Sequence, residues 1–235
     1  MHTTLITVEQ LQALQRSHTP VRLFDCSFDL MQPQAGRAQF SEQHIAGALY
    51  ADLGQHLSAH DAADAVNGGR HPLPRREVFA QWLGQCGVDA HTQVVVYDRQ
   101  GVNYCGRLWW MLKWCGHEAV AVLDGGLQAW VAAGYRGDVE PLDPVAGHIP
   151  GALNRPFGAN LDARGFFKSP DQLRQEFLAL LDGRDAASVV HHCGSGVSAV
   201  PNLLAMEVAG LGRAALYAGS WSEWCNTPGL PVAKG

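Results

Sequence analysis

The sequence contains an internal repeat, and a repeat restricts the possible folds more than any local pattern does. The motif HIAGAL at residues 44–49 returns as HIPGAL at residues 148–153. The motif LDGGLQAW in the first half is matched by YAGSWSEW near the end of the chain. Because the matched segments occur in the same order, the sequence predicts two copies of one domain, residues 1–134 and residues 135–235.

A third pair of segments, VVVYDRQGVN and SVVHHCGSGVS, lies between these motifs in the two copies. The alignment places Asp98 opposite Cys193 and Gly101 opposite Gly196, at the same offset of 95 residues. The two copies therefore share one turn, but only the second copy carries a cysteine in it. A cysteine-dependent activity would belong to the second copy.

Short apolar runs bounded by Asp, Gly or Ser alternate with segments of helical periodicity. Such runs are typical of buried parallel strands. The sequence therefore predicts an α/β fold, with a mostly parallel sheet flanked by helices in each copy and functional groups at the carboxyl ends of the strands. Cys193 follows such a strand, and Ser169 with Pro170 predicts the start of a helix. The predicted strands lie within 21–26, 92–98, 118–126, 187–193 and 214–220, and the predicted helices cover 8–15, 76–86, 104–115, 169–181 and 198–209.

The second copy has too few residues before its repeat motif. In the first copy, 43 residues precede His44 and supply a helix and a strand, whereas residues 131–147 predict neither element. A parallel sheet that lacks an interior strand would leave backbone groups unpaired. We therefore expect that a stretch of the complete domain is missing between Gly134 and Tyr135.

Composition and charge exclude several classes of protein. At 235 residues and 47% apolar residues, the chain can bury a substantial core. A formal net charge of -5 without a Lys/Arg cluster argues against nucleic-acid binding. The N-terminal segment has neither a signal-peptide pattern nor an apolar run of membrane-spanning length. We expect a cytoplasmic protein without membrane attachment, and nothing in the sequence indicates its oligomeric state.

Six cysteines are scattered without C-x-x-C or metal-type spacing, which predicts free thiols in a reducing compartment. His56 and His60 stand four residues apart beside Asp61 and Asp64, but the surrounding segment is typical of a polar loop. We expect no metal site there. Among the cysteines, only Cys193 lies within a turn.

The turn at Cys193 is rich in glycine, because the residues 194–198 are GSGVS. A glycine-rich turn before a helix lets successive backbone N–H groups point into one space that binds an anion. The anion here would be the thiolate of Cys193 or a group attached to it, with Ser195 and Ser198 as additional donors. The turn alone leaves open the alternative of a buried cysteine without chemical function.

A phosphatase loop is a second alternative, since such loops have His-Cys followed after five residues by arginine. His192 and Cys193 begin this pattern, but Ala199 stands at the arginine position. No Lys or Arg occurs between Arg184 and Arg213. Phosphoryl transfer depends on positive charge that neutralises the phosphate oxygens. The loop therefore suits a singly charged sulfur better than a phosphate dianion.

Taken together, these motifs resemble those of the two-domain rhodanese-type sulfurtransferases, most closely the 3-mercaptopyruvate sulfurtransferases. The matching segments are CGSGVS at 193–198, HIAGA, HIPGA, NGGRHPLP at 67–74, LDGGLQAW and YRGDVEP. The resemblance covers nearly the whole chain and implies two tandem rhodanese-like domains, the first inert and the second catalytic. Asp98 in place of the cysteine fits an inert first domain.

The resemblance implies a sulfurtransferase that works by ping-pong transfer. Cys193 would take a sulfane sulfur from a small-molecule donor as a persulfide and hand it to an acceptor. The acceptor would be a thiol, such as thioredoxin or a small thiol, or cyanide, and no metal or organic cofactor is implied. The loop residues that would hold the persulfide are Gly194, Ser195, Gly196, Val197 and Ser198.

The resemblance also implies which groups bind the donor. Thiosulfate-preferring members resemble one another in having cationic residues after the cysteine, so the neutral Gly194 and Ser195 favour 3-mercaptopyruvate, with thiosulfate as the alternative. A Ser/His/Asp relay maps onto Ser195, His71 and Asp52. Arg136 matches an arginine that holds the substrate carboxylate. A sulfur carrier that accepts sulfur without turnover is a further alternative.

Two other groups of residues are expected to be structural. His44 and His148 open the repeated motif in both copies, including the copy without the cysteine. Trp109, Trp110 and Trp114 fall on one helix face and predict packing in the core or between the domains.

Overall fold

The computed structural model describes residues 1–17, 19–127 and 148–233. The strands of the first copy are β1 (Leu5–Ile6), β2 (Val21–Asp25), β3 (Ala48–Tyr50), β4 (Gln93–Tyr97) and β5 (Val120–Leu123). They form one sheet in the order β1-β5-β4-β2-β3, and every neighbouring pair is parallel. The predicted mostly parallel sheet is confirmed in this copy.

Helices cover this sheet on both faces. They are α1 (Val8–Arg16), α2 (Ala35–Glu42), α3 (Arg76–Gln85) and α4 (Cys105–Trp114). Helix α1 begins at a capping box, in which the side chains of Thr7 and Gln10 each accept the backbone N–H of the other residue. Alternate side chains of β4 lie in two different core clusters, one on each face. The sheet is therefore buried on both faces, as expected for parallel strands.

In the described residues, the second copy contains α5 (Pro170–Leu181), β6 (Val190–His191), α6 (Val200–Val208), β7 (Ala215–Leu216) and α7 (Ser220–Trp224). Strands β6 and β7 pair in parallel and are the repeat counterparts of β4 and β5. Within residues 148–233 no strand corresponds to β2. The expected break between Gly134 and Tyr135 lies outside the described residues.

One hydrophobic core joins the two copies. Leu108 of α4, Phe177 of α5 and Leu204 of α6 belong to a single cluster of buried side chains. Helices α4 and α6 approach closely at Gly106, where an added methyl group would lie 3.2 Å from Cγ1 of Val200. At this point of the junction the two helices therefore leave no room for a larger side chain.

The tryptophans of α4 pack in this core, as predicted. Trp109 is buried and donates its indole N–H to the carbonyl of Thr3, 3.1 Å away. Trp110 and Trp114 stack on each other and contact the cluster that joins the copies. Of the two repeat histidines, His44 stacks on the ring of Phe40.

Most of these elements were predicted from the sequence. The predicted helices end within two residues of α1, α3, α4, α5 and α6. Ser169 caps α5 by accepting the N–H of Gln172. The sequence did not predict β1, α2, β3 or α7. Strands of two and three residues are too short to show an alternation, and Phe40 is the single large apolar side chain in AGRAQFSE, the sequence of α2.

All six cysteines are free thiols, as their spacing predicted. Within the described ranges, no helix is both long enough and apolar enough to span a membrane.

Candidate active site

The cysteine loop, residues 193–198, connects the end of β6 with the start of α6. Both main-chain polar groups of its first residue form hydrogen bonds with the start of α7. The N–H of Cys193 donates to Oγ of Ser220 at 3.1 Å, and the carbonyl of Cys193 accepts the N–H of Trp221 at 3.0 Å. Because both polar groups of its main chain are occupied, Cys193 has a fixed position at the carboxyl end of β6.

Gly196 is required by the shape of this loop. Its φ is +73°, in the left-handed region that glycine adopts without steric cost. An added methyl group would lie 2.1 Å from the carbonyl oxygen of Ala218. Its repeat counterpart Gly101 has a φ of +65°, so the two copies share the turn that the alignment predicted.

The cysteine loop has a row of unpaired backbone donors. The N–H groups of residues 194–198 donate no hydrogen bond to any group in the described part of the chain. Partly or fully buried N–H groups without partners are rare in folded proteins. A turn of successive unpaired N–H groups is instead typical of an anion-binding nest.

The corresponding loop of the first copy shows such a nest filled by a side chain. Oδ1 of Asp98 accepts the N–H groups of Gln100 and Val102 at 2.9 and 3.0 Å. Oδ2 accepts those of Tyr104 and Cys105 at 2.8 and 2.9 Å. Burial raises the pKa of Asp98, and the four N–H donors oppose this shift. The turn therefore surrounds a carboxylate at the position that Cys193 occupies in the second copy.

His71 of the first copy reaches the cysteine loop of the second. Its Nδ1 lies 3.1 Å from Oγ of Ser195. Burial lowers the pKa of His71 to about 4, and the positive charges of Arg107 and Arg70 add to the shift. His71 is therefore neutral at neutral pH, so it can exchange a hydrogen bond with Ser195 without adding a charge.

Asp52 lies in the same copy as His71 but does not complete the predicted relay. Its Oδ1 accepts the backbone N–H groups of Gly54 and Gln55 at 2.9 and 3.0 Å. No hydrogen bond joins Asp52 to His71 within the described residues. The Ser195–His71 contact is thus present, whereas the third member of the relay stays a prediction.

The remaining predicted site residues have different surroundings. Val197 is buried and packs in the core that joins the copies. Ser198 is half-buried at the end of the loop. Ala199, at the arginine position of a phosphatase loop, is buried directly before α6. Arg136 lies outside the described residues.

Sequence reasoning missed Arg107, a fully buried arginine of α4. Its Nη2 donates to the carbonyls of His71 and Leu57 at 2.8 and 3.1 Å, and its Nη1 lies 3.5 Å from the carbonyl of Gly196. The feature of the sequence that could have indicated a buried functional arginine is a single charged residue within the apolar helical sequence CGRLWWML.

Sequence reasoning also missed Glu223 of α7. Its Oε1 accepts the N–H of Gly68 at 2.6 Å and so ties α7 to the NGGR segment of the first copy. A cleft of about 550 Å³ lies between these two elements. Ser222 lines the cleft and donates its N–H to the carbonyl of Gly194 at 2.8 Å, so the cleft opens beside the cysteine loop.

The histidines that were weighed as metal ligands have protein partners. Nδ1 of His56 accepts the N–H of Asp52, and the His56 ring stacks on Trp82. Nε2 of His60 lies 3.1 Å from the carbonyl of Gln55. Within the described ranges, no group of three or more His, Cys, Asp or Glu side chains has a metal-binding arrangement.

The rhodanese-like domain family matches residues 7–133 and again residues 138–227. The chain belongs to this family and carries two copies of its domain. The predicted fold and the predicted family are confirmed.

Individual relatives define the class of enzyme. A Pseudomonas aeruginosa protein named "Probable 3-mercaptopyruvate sulfurtransferase" is 39% identical over 281 aligned positions, which cover 98% of each chain. A Gallus gallus protein named "Thiosulfate sulfurtransferase" is 29% identical, and the match covers 87% of this chain and 86% of that protein. The solved structure of 3-mercaptopyruvate sulfurtransferase from Leishmania major is 26% identical with a TM-score of 0.80, covering 97% of this chain and 77% of that one. The chain is an enzyme of the sulfurtransferase class.

Proposed function

We propose that this enzyme moves the sulfur of 3-mercaptopyruvate through a persulfide on Cys193. The Cys193 thiolate attacks the sulfur of the donor, an S–S bond forms, and the carbon–sulfur bond breaks. The electron pair of that bond passes to the enolate of pyruvate, which takes a proton at its terminal carbon. An acceptor thiolate, of thioredoxin or a small thiol, or cyanide then attacks the outer sulfur and releases the Cys193 thiolate. No step needs a metal or an organic cofactor.

The match between the two loops carries this proposal. In the first copy, four N–H groups surround the carboxylate of Asp98. In the second copy, the N–H groups of residues 194–198 have no partner among the described residues, and Cys193 replaces the aspartate. A turn that holds a carboxylate in one copy supplies the same donors to a thiolate or a persulfide in the other. Charge-assisted hydrogen bonds of this kind contribute about 1.5–3 kcal/mol each.

The surroundings of the loop favour a donor that is a carbonyl compound. Ser195 and His71 form a neutral pair of hydrogen-bonding groups beside Cys193, suited to a carbonyl oxygen on which charge develops as pyruvate leaves. Asp52 would orient His71 after a rearrangement of the turn in which Gly54 and Gln55 now hold the Asp52 carboxylate. Arg136 would bind the carboxylate of the donor. Thiosulfate is the second candidate donor, because a relative is named for it. The neutral Gly194 and Ser195 offer no positively charged group that would bind the thiosulfate dianion.

Sulfur loading of purified protein tests the proposal. Wild type and Cys193→Ser are incubated with 3-mercaptopyruvate or with thiosulfate, and the peptide that contains residue 193 is analysed by mass spectrometry. We expect one added sulfur atom on Cys193 with 3-mercaptopyruvate, release of pyruvate in step with it, and neither product with Cys193→Ser. Cys86→Ser, which changes a half-buried thiol of the first copy, is the matched control and should behave as wild type.

The outcomes separate the alternatives. Loading by thiosulfate alone would make the protein a thiosulfate sulfurtransferase. Loading without continued pyruvate release in the presence of thiol or cyanide would indicate a sulfur carrier. Cys193-dependent hydrolysis of an aryl phosphate would support the phosphatase alternative, and the absence of sulfur on Cys193 with both donors would refute sulfur transfer at this site.

The division into an inert copy, residues 1–134, and a catalytic copy, residues 135–235, is part of the proposal. Asp98 occupies the nest of the first copy, at the position that Cys193 has in the second. The alignment with the Pseudomonas protein supports a missing stretch, because its 281 positions exceed the 235 residues of this chain although 98% of both chains is covered. The second family match is also the shorter one.

A further inference from the structure

Arg107 is a buried cation at the junction of the two copies. Its side chain is 0% exposed, and no carboxylate in the described part of the chain forms an ion pair with it. Its Nε is buried and donates to no described group. A buried charge is unfavourable unless other groups compensate it, and neutral carbonyls compensate a guanidinium only in part. The position of this cation therefore suggests a negative charge that forms nearby during function.

The contacts of Arg107 lie on both sides of the Ser195–His71 pair. On the first copy, Nη2 holds the carbonyl of His71 at 2.8 Å. On the second copy, Nη1 lies 3.5 Å from the carbonyl of Gly196, the residue next to Ser195. A planar guanidinium fixes several acceptors in one geometry, which a lysine ammonium does not do. Arg107 therefore joins the cysteine loop to the histidine segment of the other copy.

Cys193 and Arg107 also interact electrostatically. Burial lowers the pKa of Arg107 to about 10, and negative charge on Cys193 acts in the opposite direction. Such an interaction is mutual, so a cation that is favoured by the anion also favours the anion. The cysteine loop itself contains no cation, since no Lys or Arg occurs between Arg184 and Arg213.

We propose that Arg107 is a positioning residue through which the catalytically inert copy stabilises the anion on Cys193 and sets the Ser195–His71 contact. The proposal rests on the sulfur-transfer function proposed above. It gives the first copy a direct part in the reaction beyond supporting the fold. Asp98 stands where the second copy has its nucleophile, and Arg107, nine residues later in the same sequence segment, contributes a charge to that nucleophile.

Burial disfavours the charged forms of the histidines beside the cysteine loop. Burial lowers the pKa of His71 and of His191 to about 4, and it lowers the pKa of His192. The groups around the loop, besides Arg107, are His71 and Arg70 from the first copy, His191 from β6, His192 directly after it with His148 acting on it, and Tyr217 and Glu223 from the segment that leads into α7.

The test measures alkylation of Cys193 by iodoacetamide as a function of pH in the full chain. The reagent reacts with the thiolate, and peptide mass analysis reports residue 193 separately from the other cysteines. Arg107→Met removes the charge at similar volume, and we expect the midpoint of the curve to move up by about one pH unit, which lowers the rate at neutral pH about tenfold. Arg107→Lys keeps a positive charge, so the midpoint should stay closer to that of wild type. It should still slow sulfur loading, because an ammonium group cannot hold the carbonyls of His71 and Gly196 in one geometry as the planar guanidinium does.

The matched control is Arg155→Met. Arg155 is also largely buried, but Oε2 of Glu176 lies 2.8 Å from its Nη2, so it already has a counter-ion in the second copy. This variant should lose stability and keep the alkylation midpoint of wild type. If Arg107→Met does not yield folded protein, Arg107→Gln and Arg107→Lys carry the same comparison, with thermal unfolding measured for each.

An alkylation midpoint of Arg107→Met or Arg107→Gln equal to that of wild type and Arg155→Met would overturn the proposal. Sulfur loading of wild type separates this failure from failure of the proposed function. If wild type takes up sulfur while the midpoints are equal, sulfur transfer stands and the role of Arg107 falls. If wild type takes up no sulfur from either donor, the proposed function falls, whereas the alkylation curves still decide whether Arg107 stabilises the thiolate.

Discussion

Two residues beside Cys193 have a positive φ, and each matches a glycine of the first copy. Gly196, at +73°, corresponds to Gly101, and Ser220, at +52°, corresponds to Gly126, at +57°. Serine has a steric cost in this conformation that glycine avoids. Oγ of Ser220 accepts the N–H of Cys193, so a residue with a strained backbone fixes the backbone of the nucleophile. The backbone of the repeat is thus kept, while single side chains adapt one copy to chemistry.

Gly196→Ala is expected to abolish sulfur loading. The alanine would need a positive φ, and its methyl group would lie 2.1 Å from the carbonyl oxygen of Ala218. Together these effects should lower the free energy of unfolding by about 2–4 kcal/mol, and relief of the overlap should displace the loop. Urea unfolding and mass analysis of the peptide with residue 193 measure the two effects.

Gly210→Ala is the control for backbone strain alone. Gly210 has a φ of +67°, but the nearest atom to an added methyl group is Nη1 of Arg174 at 3.8 Å. This variant should lose about 1–2 kcal/mol and load sulfur normally. Equal loading by Gly196→Ala and Gly210→Ala would contradict the role assigned to the Gly196 turn.

The elements of this protein differ in how far the sequence determines them. The cysteine loop was predictable because a glycine-rich turn after an apolar run has few possible geometries, and its repeat partner fixed the alignment. The partners of the loop were not predictable, because His71 and Arg107 reach it across the junction of the copies. A residue pair 124 positions apart leaves no local pattern, and only the resemblance to a family pointed to His71. Strands β1 and β3 form by pairing with long neighbours, which a short segment does not reveal.

Asp98→Asn tests whether the first-copy loop needs an anion. All four partners of the Asp98 carboxylate are N–H donors, so an amide in its place would direct its own N–H groups at two of them. We expect a loss of about 2–4 kcal/mol in the free energy of unfolding, with the folded fraction still able to load sulfur on Cys193. Urea unfolding followed by sulfur loading measures both.

The control for this variant is Asp162→Asn. The Asp162 carboxylate also accepts backbone N–H groups, those of Arg164 and Phe166, but it does so in a partly exposed turn that water reaches, so that water can replace a lost partner. Its loss should stay below about 1 kcal/mol. A similar cost for Asp98→Asn would mean that the loop does not require a negative charge.

At the scale of the molecule, the site belongs to both copies. Three contacts cross the junction beside the cysteine loop: His71 with Ser195, Gly68 with Glu223, and Arg107 with Gly196. A further pair, Lys113 with Glu207, is largely buried between α4 and α6. Because these contacts lie on one shared core, local changes at the site affect the free energy of unfolding of the whole chain.

Stability is therefore expected to fall as the pH is lowered below about 6.5, through two histidines near this junction. Burial lowers the pKa of both His71 and His191 to about 4, whereas an unfolded histidine titrates near 6.5. Between these values the unfolded chain binds protons that the folded chain excludes, so each histidine should reduce the free energy of unfolding by about 1–2 kcal/mol on going from pH 7 to pH 5.

Urea unfolding at the two pH values measures the difference. His71→Gln and His191→Gln should each remove their share of it, whereas the exposed His91→Gln should leave it unchanged. If both buried-histidine variants lose as much stability as wild type between these pH values, neither ring is kept neutral by burial, and the neutral state of His71 beside Ser195 would have to be abandoned.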